Sequence, residues 1–433
     1  MTDLMHTVNC RQAPRIVVLL ALAPAIAIAQ VRSAKSVQIP AGFSAVREAD
    51  IRRDVGEMAS PGMRGREGGT IDEMRASAWV AEQYRRIGLK PKGDDSTYYQ
   101  WFDMTRTRVS VTASSASIGG RAMSLFDDMI PTAVVPVTVS APVLWVDNPA
   151  DSSVDVRGKV VATMVLAPAP ASIRANSYTF ASRYADAAIN GTVQRFARRG
   201  AAAVILVANP TVDSAFRVVR DARVRGSYDV DDAIPRNANG SRRIAPPPTA
   251  GSGPTPAFLV HAAMRDALTK QPQAQLDIRL ERFTVPSVNV IGMVRGTDPK
   301  LRDEYVVFSS HQDANGVRWT LEGDSVHAGA DDNASVSAAI LAAARAFVKQ
   351  PAKRSVLFIH HGSEERGLIG SRYHAAHPVV PISRIVAVLN GDMIGRNNPD
   401  SAALLGSQPP HRNSSELVAM ALKANALTGK FIL

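Results

Sequence analysis

Four segments decide the fold: YVVFSSHQD (305–313), GADDNAS (329–335), SVLFIHHGSEERGLIGS (355–371) and RIVAVLNGDMIG (384–395). Tyr305 to Ser310, Ser355 to His360 and Arg384 to Leu389 are short aliphatic runs rich in β-branched residues, the pattern of strands buried on both faces. Each runs directly into polar residues: His311-Gln312-Asp313, Gly362-Ser363-Glu364-Glu365 and Asn390-Gly391-Asp392. Between the first two, Val336 to Lys349 is Ala-rich and helical by propensity, with Pro351 as its stop. Strand, helix, strand, helix, strand predicts a parallel sheet with right-handed crossovers, whose strand carboxyl ends share one edge. His311, Asp332, Glu364, Glu365 and Asp392 are therefore expected to converge on one crevice.

A histidine among carboxylates, with no thiolate, suits a hard or borderline divalent ion such as Zn²⁺, Mn²⁺ or Co²⁺. Two ions about 3.5 to 4 Å apart can share one bridging carboxylate and together polarise a carbonyl. Adjacent side chains leave an extended backbone in opposite directions, so one member of Glu364-Glu365 can ligate while the other faces substrate as a general base. Asp313, two residues after His311, can fix the imidazole tautomer. Each piece also has an ordinary reading. Asp331-Asp332-Asn333 is the kind of cluster that caps a following helix, and a Glu-Glu pair suits a solvated turn. His360, His374 and His377 read as structural or surface histidines. Order and spacing together favour the metal reading, because every acidic element follows a strand.

Outward from this stretch, the chain has 433 residues, 45% of them hydrophobic, enough for two or three domains. Arg11 and Arg15 precede an apolar run from Ile16 to Ala29 that ends in Ala27-Ile28-Ala29, the pattern of a cleaved secretory signal over 1–29. The run is about fourteen residues where a spanning helix needs about twenty, so no stable membrane anchor is expected after cleavage. The expected location is secreted or periplasmic. The single cysteine, Cys10, leaves with the signal, which excludes disulfides and thiolate ligands from the mature chain. The formal charge of +11 comes from scattered basic residues without an aromatic-interleaved stripe, so no nucleic-acid partner is expected.

Residues 30–132 carry helices, one of them with Thr70 and Glu73 as a capping box, an apolar face of Ile71, Met74, Ala78 and Ala81, and Gly88 as its stop. From about Ala133 to Val285 the composition shifts to short Val-rich strands, including Ala202 to Ala208, and Asn209 to Pro256 reads as a mobile loop or lid with one helix over Ser214 to Val224. Residues 286–433 complete the catalytic core.

Taken together, the four segments resemble metallopeptidase family 28, the co-catalytic zinc aminopeptidases. The resemblance implies an α/β fold, a mixed, mostly parallel sheet flanked by helices, and hydrolysis of peptide bonds in a peptide or protein substrate. It implies two Zn²⁺ per complete site, with His311 a ligand of one ion, Asp332 the bridge, Glu365 a ligand of the other, Asp392 completing the His311 site, and Glu364 the general base with Asp313 beside it. Residues 133–285 are similar to an inserted, β-rich protease-associated domain, through Asp155-Val156-Arg157-Gly158-Lys159-Val160-Val161 and Arg199-Gly200-Ala201-Ala202-Ala203-Val204-Ile205-Leu206. The family's last ligand is a histidine well downstream of the Asp392 motif, and no such motif follows here; His411 is not assigned to the role. The expectation is a C-terminally incomplete core that holds at most one ion tightly. Two other readings stay open: a non-catalytic, peptide-binding relative, and a glutaminyl cyclase of the same fold.

Overall fold

The computed structural model describes residues 39–168, 180–197, 199–230, 255–319, 324–396 and 414–428, together with 398, 401 and 404. The expected signal segment, residues 231–254 of the expected lid and His411 lie outside these. In chain order the main elements are α1 (Glu48–Met58), α2 (Ile71–Ile87), β1 (Tyr99–Val109), β2 (Ser115–Ile118), β3 (Met129–Pro131), β4 (Val137–Trp145), β5 (Val160–Met164), α3 (Phe180–Ala197), β6 (Ala203–Val207), α4 (Phe216–Arg223), β7 (Ser227–Asp229) and β8 (Ala257–Val260). Then come β9 (Gln273–Ile278), β10 (Leu280–Val294), β11 (Tyr305–His311), α5 (Val336–Lys349), β12 (Ser355–His361), α6 (Ile369–Ala376), β13 (Ile385–Asn390) and α7 (Ser415–Thr428). Among the described residues no helix is long and apolar enough to cross a membrane.

One seven-stranded sheet has the order β13-β11-β12-β10-β1-β7, with Lys90–Pro91 also on β10. The three strands read from the sequence are found, and β11 pairs in parallel with both β12 and β13; β13, however, is an edge strand whose Val386, Val388 and Leu389 are exposed, so the expectation of burial on both faces fails there. The remainder is antiparallel, because β1 and β10 run side by side from Val109 opposite Leu280 to Tyr99 opposite Val290. The sheet is thus mixed, and its parallel part is confined to the three strands that lead into the candidate site. At β12 both faces are covered. On β12, Val356 and Phe358 pack with Tyr84, Ile340 and Leu341 on the face that carries α2 and α5, while Leu357 and Ile359 pack with Val307 and Val380 on the other. This period-two alternation between two buried faces explains why the strand reads as a continuous apolar run.

The second, eight-stranded sheet includes β2, β9, β4, β5, β6, β8 and β3 in that order, with Arg121–Ala122 at the β2 edge. Its core joins Val161, Ile205 and Leu259 to Ile189 and Phe196 of α3 and Phe216 and Val219 of α4. Because β2 and β3 belong to this sheet, it begins ahead of residue 133, and the expected boundary at 285/286 falls inside the continuous strand β10. The chain leaves the first sheet along β1 and returns along β10. The opening of the expected lid is also structured: Pro210–Ser214 and α4 are helical, and β7 adds to the edge of β1.

The buried face of α2 differs from the one read in the sequence. Glu73, Ala76, Ser77, Val80, Ala81 and Tyr84 turn inward, whereas Ile71 is 72% exposed. Thr70 does cap the helix, accepting from Asp72 N, but the Glu73 carboxylate passes the cap and accepts from Gly69 N at 2.7 Å.

Candidate metal centre

His311 ends β11, Asp332 lies in the turn before α5, Glu364 and Glu365 follow β12, and Asp392 follows β13. The parallel register brings these ends together. His311 Nε2 lies 3.2 Å from Asp332 Oδ1, 3.6 Å from Asp392 Oδ1 and 3.7 Å from Glu364 Oε2. One ligand atom from each of His311, Glu364 and Asp392 can be chosen so that all lie within 4.8 Å of one another. Glu364, not Glu365, is therefore the glutamate that approaches the imidazole.

The neighbours of Asp332 do not cap α5, which has no side-chain cap. Asp331 instead pairs with Arg396 at 3.0 Å and accepts from Gly395 N, while Asn333 donates to Gly391 O at 3.1 Å. Both tie the Asp392 loop to the Asp332 loop. His311 donates from Nδ1 to the main-chain oxygen of Asp313 at 3.1 Å, which leaves Nε2 facing the carboxylates. The two side-chain oxygens of Asp313 accept from Glu364 N at 2.9 Å and Glu365 N at 3.1 Å, and its Oδ1 also lies 3.5 Å from His311 Nδ1. The Asp313 carboxylate thus holds the glutamate turn while facing the Nδ1 edge of the imidazole.

Six carboxyl groups, from Glu73, Asp313, Asp332, Glu364, Glu365 and Asp392, gather near two cationic side chains, His311 and Arg66, and burial, then Asp313, push Glu73 up to about 8. Burial lowers the affinity of His311 for its proton, but Asp313, Asp332 and Asp392 more than offset this and raise it well above the ordinary range. His311 in turn holds Asp332 below the ordinary carboxylate range. Burial, then Asp332 and Asp313, push Glu365 up to about 7, and burial also raises Glu364. Two buried atoms, His311 Nε2 and Glu365 Oε1, have no hydrogen-bond partner. Crowded carboxyl groups, an imidazole nitrogen aimed among them whose proton a metal ion would displace, and an unpaired buried carboxyl oxygen fit a divalent cation held by His311, Asp332, Asp392 and the glutamate turn.

The residues that the sequence reading missed lie in the turn-rich segment before α2. Arg66 is wholly buried, donates to the main-chain oxygens of Gln312, Met58, Ala328 and Gly329, and is lowered to about 10 by burial. Glu67 receives Arg366 and, at 2.9 Å, Arg225. Glu73, also wholly buried, accepts from Ser363 N and Ser287 Oγ, each at 2.8 Å, directly beneath the left-handed Ser363 that precedes Glu364. Gly68 is required by contact, since a Cβ there would stand 2.8 Å from Ser363 Oγ. The available signal was an Arg-Glu pair set among Gly65, Gly68 and Gly69, a pattern that permits close backbone approach. Of the set-aside histidines, His360 meets Tyr84 Oη at 2.7 Å, His374 meets Gln100 Oε1 at 2.9 Å and His377 meets Tyr373 O.

Residues 289–430 match the model of Peptidase family M28. Aminopeptidase YwaD of Bacillus subtilis is 33% identical over 132 residues, 30% of this chain and 26% of that protein. Leupeptin-inactivating enzyme 1 of Streptomyces exfoliatus is 45% identical over 82 residues, 18% of each chain. The matched stretch therefore spans about a quarter or less of these curated relatives. Among solved structures, the zinc aminopeptidase BSAP from Bacillus subtilis aligns over 89% of this chain and 78% of its own at 19% identity, with a TM-score of 0.48. An aminopeptidase from Aneurinibacillus sp. strain AM-1 aligns over 83% and 73% at 19% identity, with a TM-score of 0.45.

Proposed function

We propose that this chain, whose residues 289–430 match the model of Peptidase family M28, is a zinc-dependent exopeptidase that removes amino-terminal residues from peptides. The observation that carries the reading is the meeting of His311 Nε2 with Asp332, Asp392 and Glu364 at 3.2 to 3.7 Å in a pocket of crowded carboxyl groups. His311, Asp332 and Asp392 would hold one zinc, and Asp332 with Glu365 a second. Zinc supplies Lewis-acid polarisation of the scissile carbonyl.

The chain's own groups carry the proton. Glu364 is half-buried and raised by burial, so its carboxylate is well suited to take a proton from the attacking water and return it to the leaving amine. The water oxygen forms the new bond to the carbonyl carbon, the C–N bond breaks, and the proton travels from water through Glu364 to nitrogen. Asp313 orients this base through the two backbone N–H groups of the turn, and Glu73 supports Ser363 below it. The surplus of carboxylates also favours a free α-ammonium group on the substrate. Export to the periplasm or medium is part of the proposal, on the N-terminal apolar run.

Turnover of leucyl-p-nitroanilide against its N-acetylated counterpart tests this reading. The free amine is expected to be cleaved, the blocked one left intact, and a chelator to abolish turnover until zinc is restored. Equal cleavage of both would exclude an aminopeptidase.

A further inference from the structure

A cavity of about 680 Å³ lies between α4, the Phe126 turn of the second sheet, His261 and Trp319. Trp319 belongs to the excursion that joins His311 to Asp332, so one wall of the cavity is continuous in sequence with the candidate site. The two are also linked by polar contacts. Trp319 N donates to Asp221 at 3.2 Å, Asp221 pairs with Arg225 at 2.8 Å, Arg225 with Glu67 at 2.9 Å, and Glu67 with Arg366, the neighbour of Glu365.

The carboxylates of the lining are each engaged. Asp127 pairs with Arg220 at 3.2 Å, Asp213 meets His261 Nδ1 at 2.8 Å, and Asp221 pairs with Arg225 behind the wall. One cation is left: Arg217 makes no ion pair among the described residues and lies over the Trp319 ring, 5.1 Å from its centre. Trp319 is half-exposed beside it, and the nearly buried Phe216, stacked on His261 at 3.7 Å, and Phe126 line the floor. A guanidinium on an indole, backed by phenyl rings and with its neighbouring carboxylates already engaged, selects a ligand that joins a carboxylate to an apolar side chain.

We propose that this cavity seats the carboxyl-terminal end of a short peptide substrate, with Arg217 pairing its α-carboxylate and Trp319 and Phe216 flanking its last side chain. The proposal rests on the peptidase reading and adds to it a preference for peptides over large proteins, because a free carboxylate must reach Arg217 while the amino end lies at the metal centre.

The test is hydrolysis of a graded set of leucyl-oligoglycyl-phenylalanines, each as the free acid and as the C-terminal amide. At the best-fitting length the parent is expected to favour the acid about tenfold in kcat/KM, the worth of one charge-assisted contact, and Arg217→Met to bring the ratio to about one. The ratio is internal to each protein, so a partly inactive preparation does not disturb it. No preference in the parent, or an unchanged ratio in the variant, would overturn the proposal. If no peptide is cleaved at all, the peptidase reading fails separately, and the cavity is read by equilibrium binding of the same acids through tryptophan fluorescence, with Trp319→Phe identifying the signal. About tenfold weaker binding by Arg217→Met then supports the cavity assignment, and equal binding, or none by the parent, refutes it.

Discussion

At the scale of the residue, the two glutamates after β12 are chemically identical, and their environments separate them. Glu364 approaches His311, while Glu365 carries a buried oxygen with no partner and is pushed up to about 7. If Glu364 is the base, Glu364→Gln keeps its metal and loses about 10²–10⁴-fold in rate. Asp332→Asn is expected to lower metal content as well as rate, since that carboxylate would serve two ions. Metal analysis of the purified variants decides, and a metal-free Glu364→Gln would make that residue a ligand. Glu73 gives a second prediction. Its partners at Gly69 N, Ser287 Oγ and Ser363 N are all arranged as donors, so Glu73→Gln must aim an amide N–H at one of them. A stability loss of about 1–3 kcal/mol by urea unfolding is expected, and a variant as stable as the parent would show that the carboxylate does not organise the turn. His311, Glu364, Glu365 and Asp392 were legible because each ends or follows a hydrophobic run, and Asp332 because it stands just ahead of an Ala-rich one. Arg66 and Glu73 were not, because a charged residue in a Gly-rich turn carries no mark of burial.

At the scale of the element, strands and helices differed in how well they could be read. β11, β12 and α5 were clear from composition alone, since burial on two faces demands unbroken aliphatic sequence. The orientation of α2 was not, because its inward face is partly polar, with Glu73 and Ser77, while Ile71 points to solvent. α6 shows the same effect and yields a pH prediction. His374 is buried, bonded to Gln100, and held down to about 4 by burial, and His360 on β12 is held to about 4 in the same way. In the unfolded chain each titrates near 6.5. Between pH 6.5 and 4 the unfolded state therefore binds the extra proton, so their contribution to stability is present above 6.5 and is lost as pH falls. Burial holds His361 down as well, so at least three histidines share this effect, and His374→Asn should lose less melting temperature than the parent as pH falls through the window because it removes one of them. An unchanged slope in that variant would mean that His374 is free to protonate in the folded protein.

At the scale of the whole molecule, the sequence predicted a β-rich segment inserted into the first body at 133–285, and in the structure the chain leaves the first sheet along β1 and returns along β10. The boundary was misplaced because β2 and β3 are short, and because the first half of β10, Leu280 to Val285, lacks the aliphatic density of its second half. That arrangement lets α4 and Arg225 reach Glu67 and brace the glutamate turn from outside the first sheet. The account as a whole depends on a cation at the meeting point of three parallel strands. Crystals grown with zinc and measured at the zinc absorption edge test it most directly. The predicted result is an anomalous peak about 2.0–2.2 Å from His311 Nε2 and from carboxylate oxygens of Asp332 and Asp392. A map with no peak there, from crystals that diffract well and contain zinc elsewhere, would contradict it.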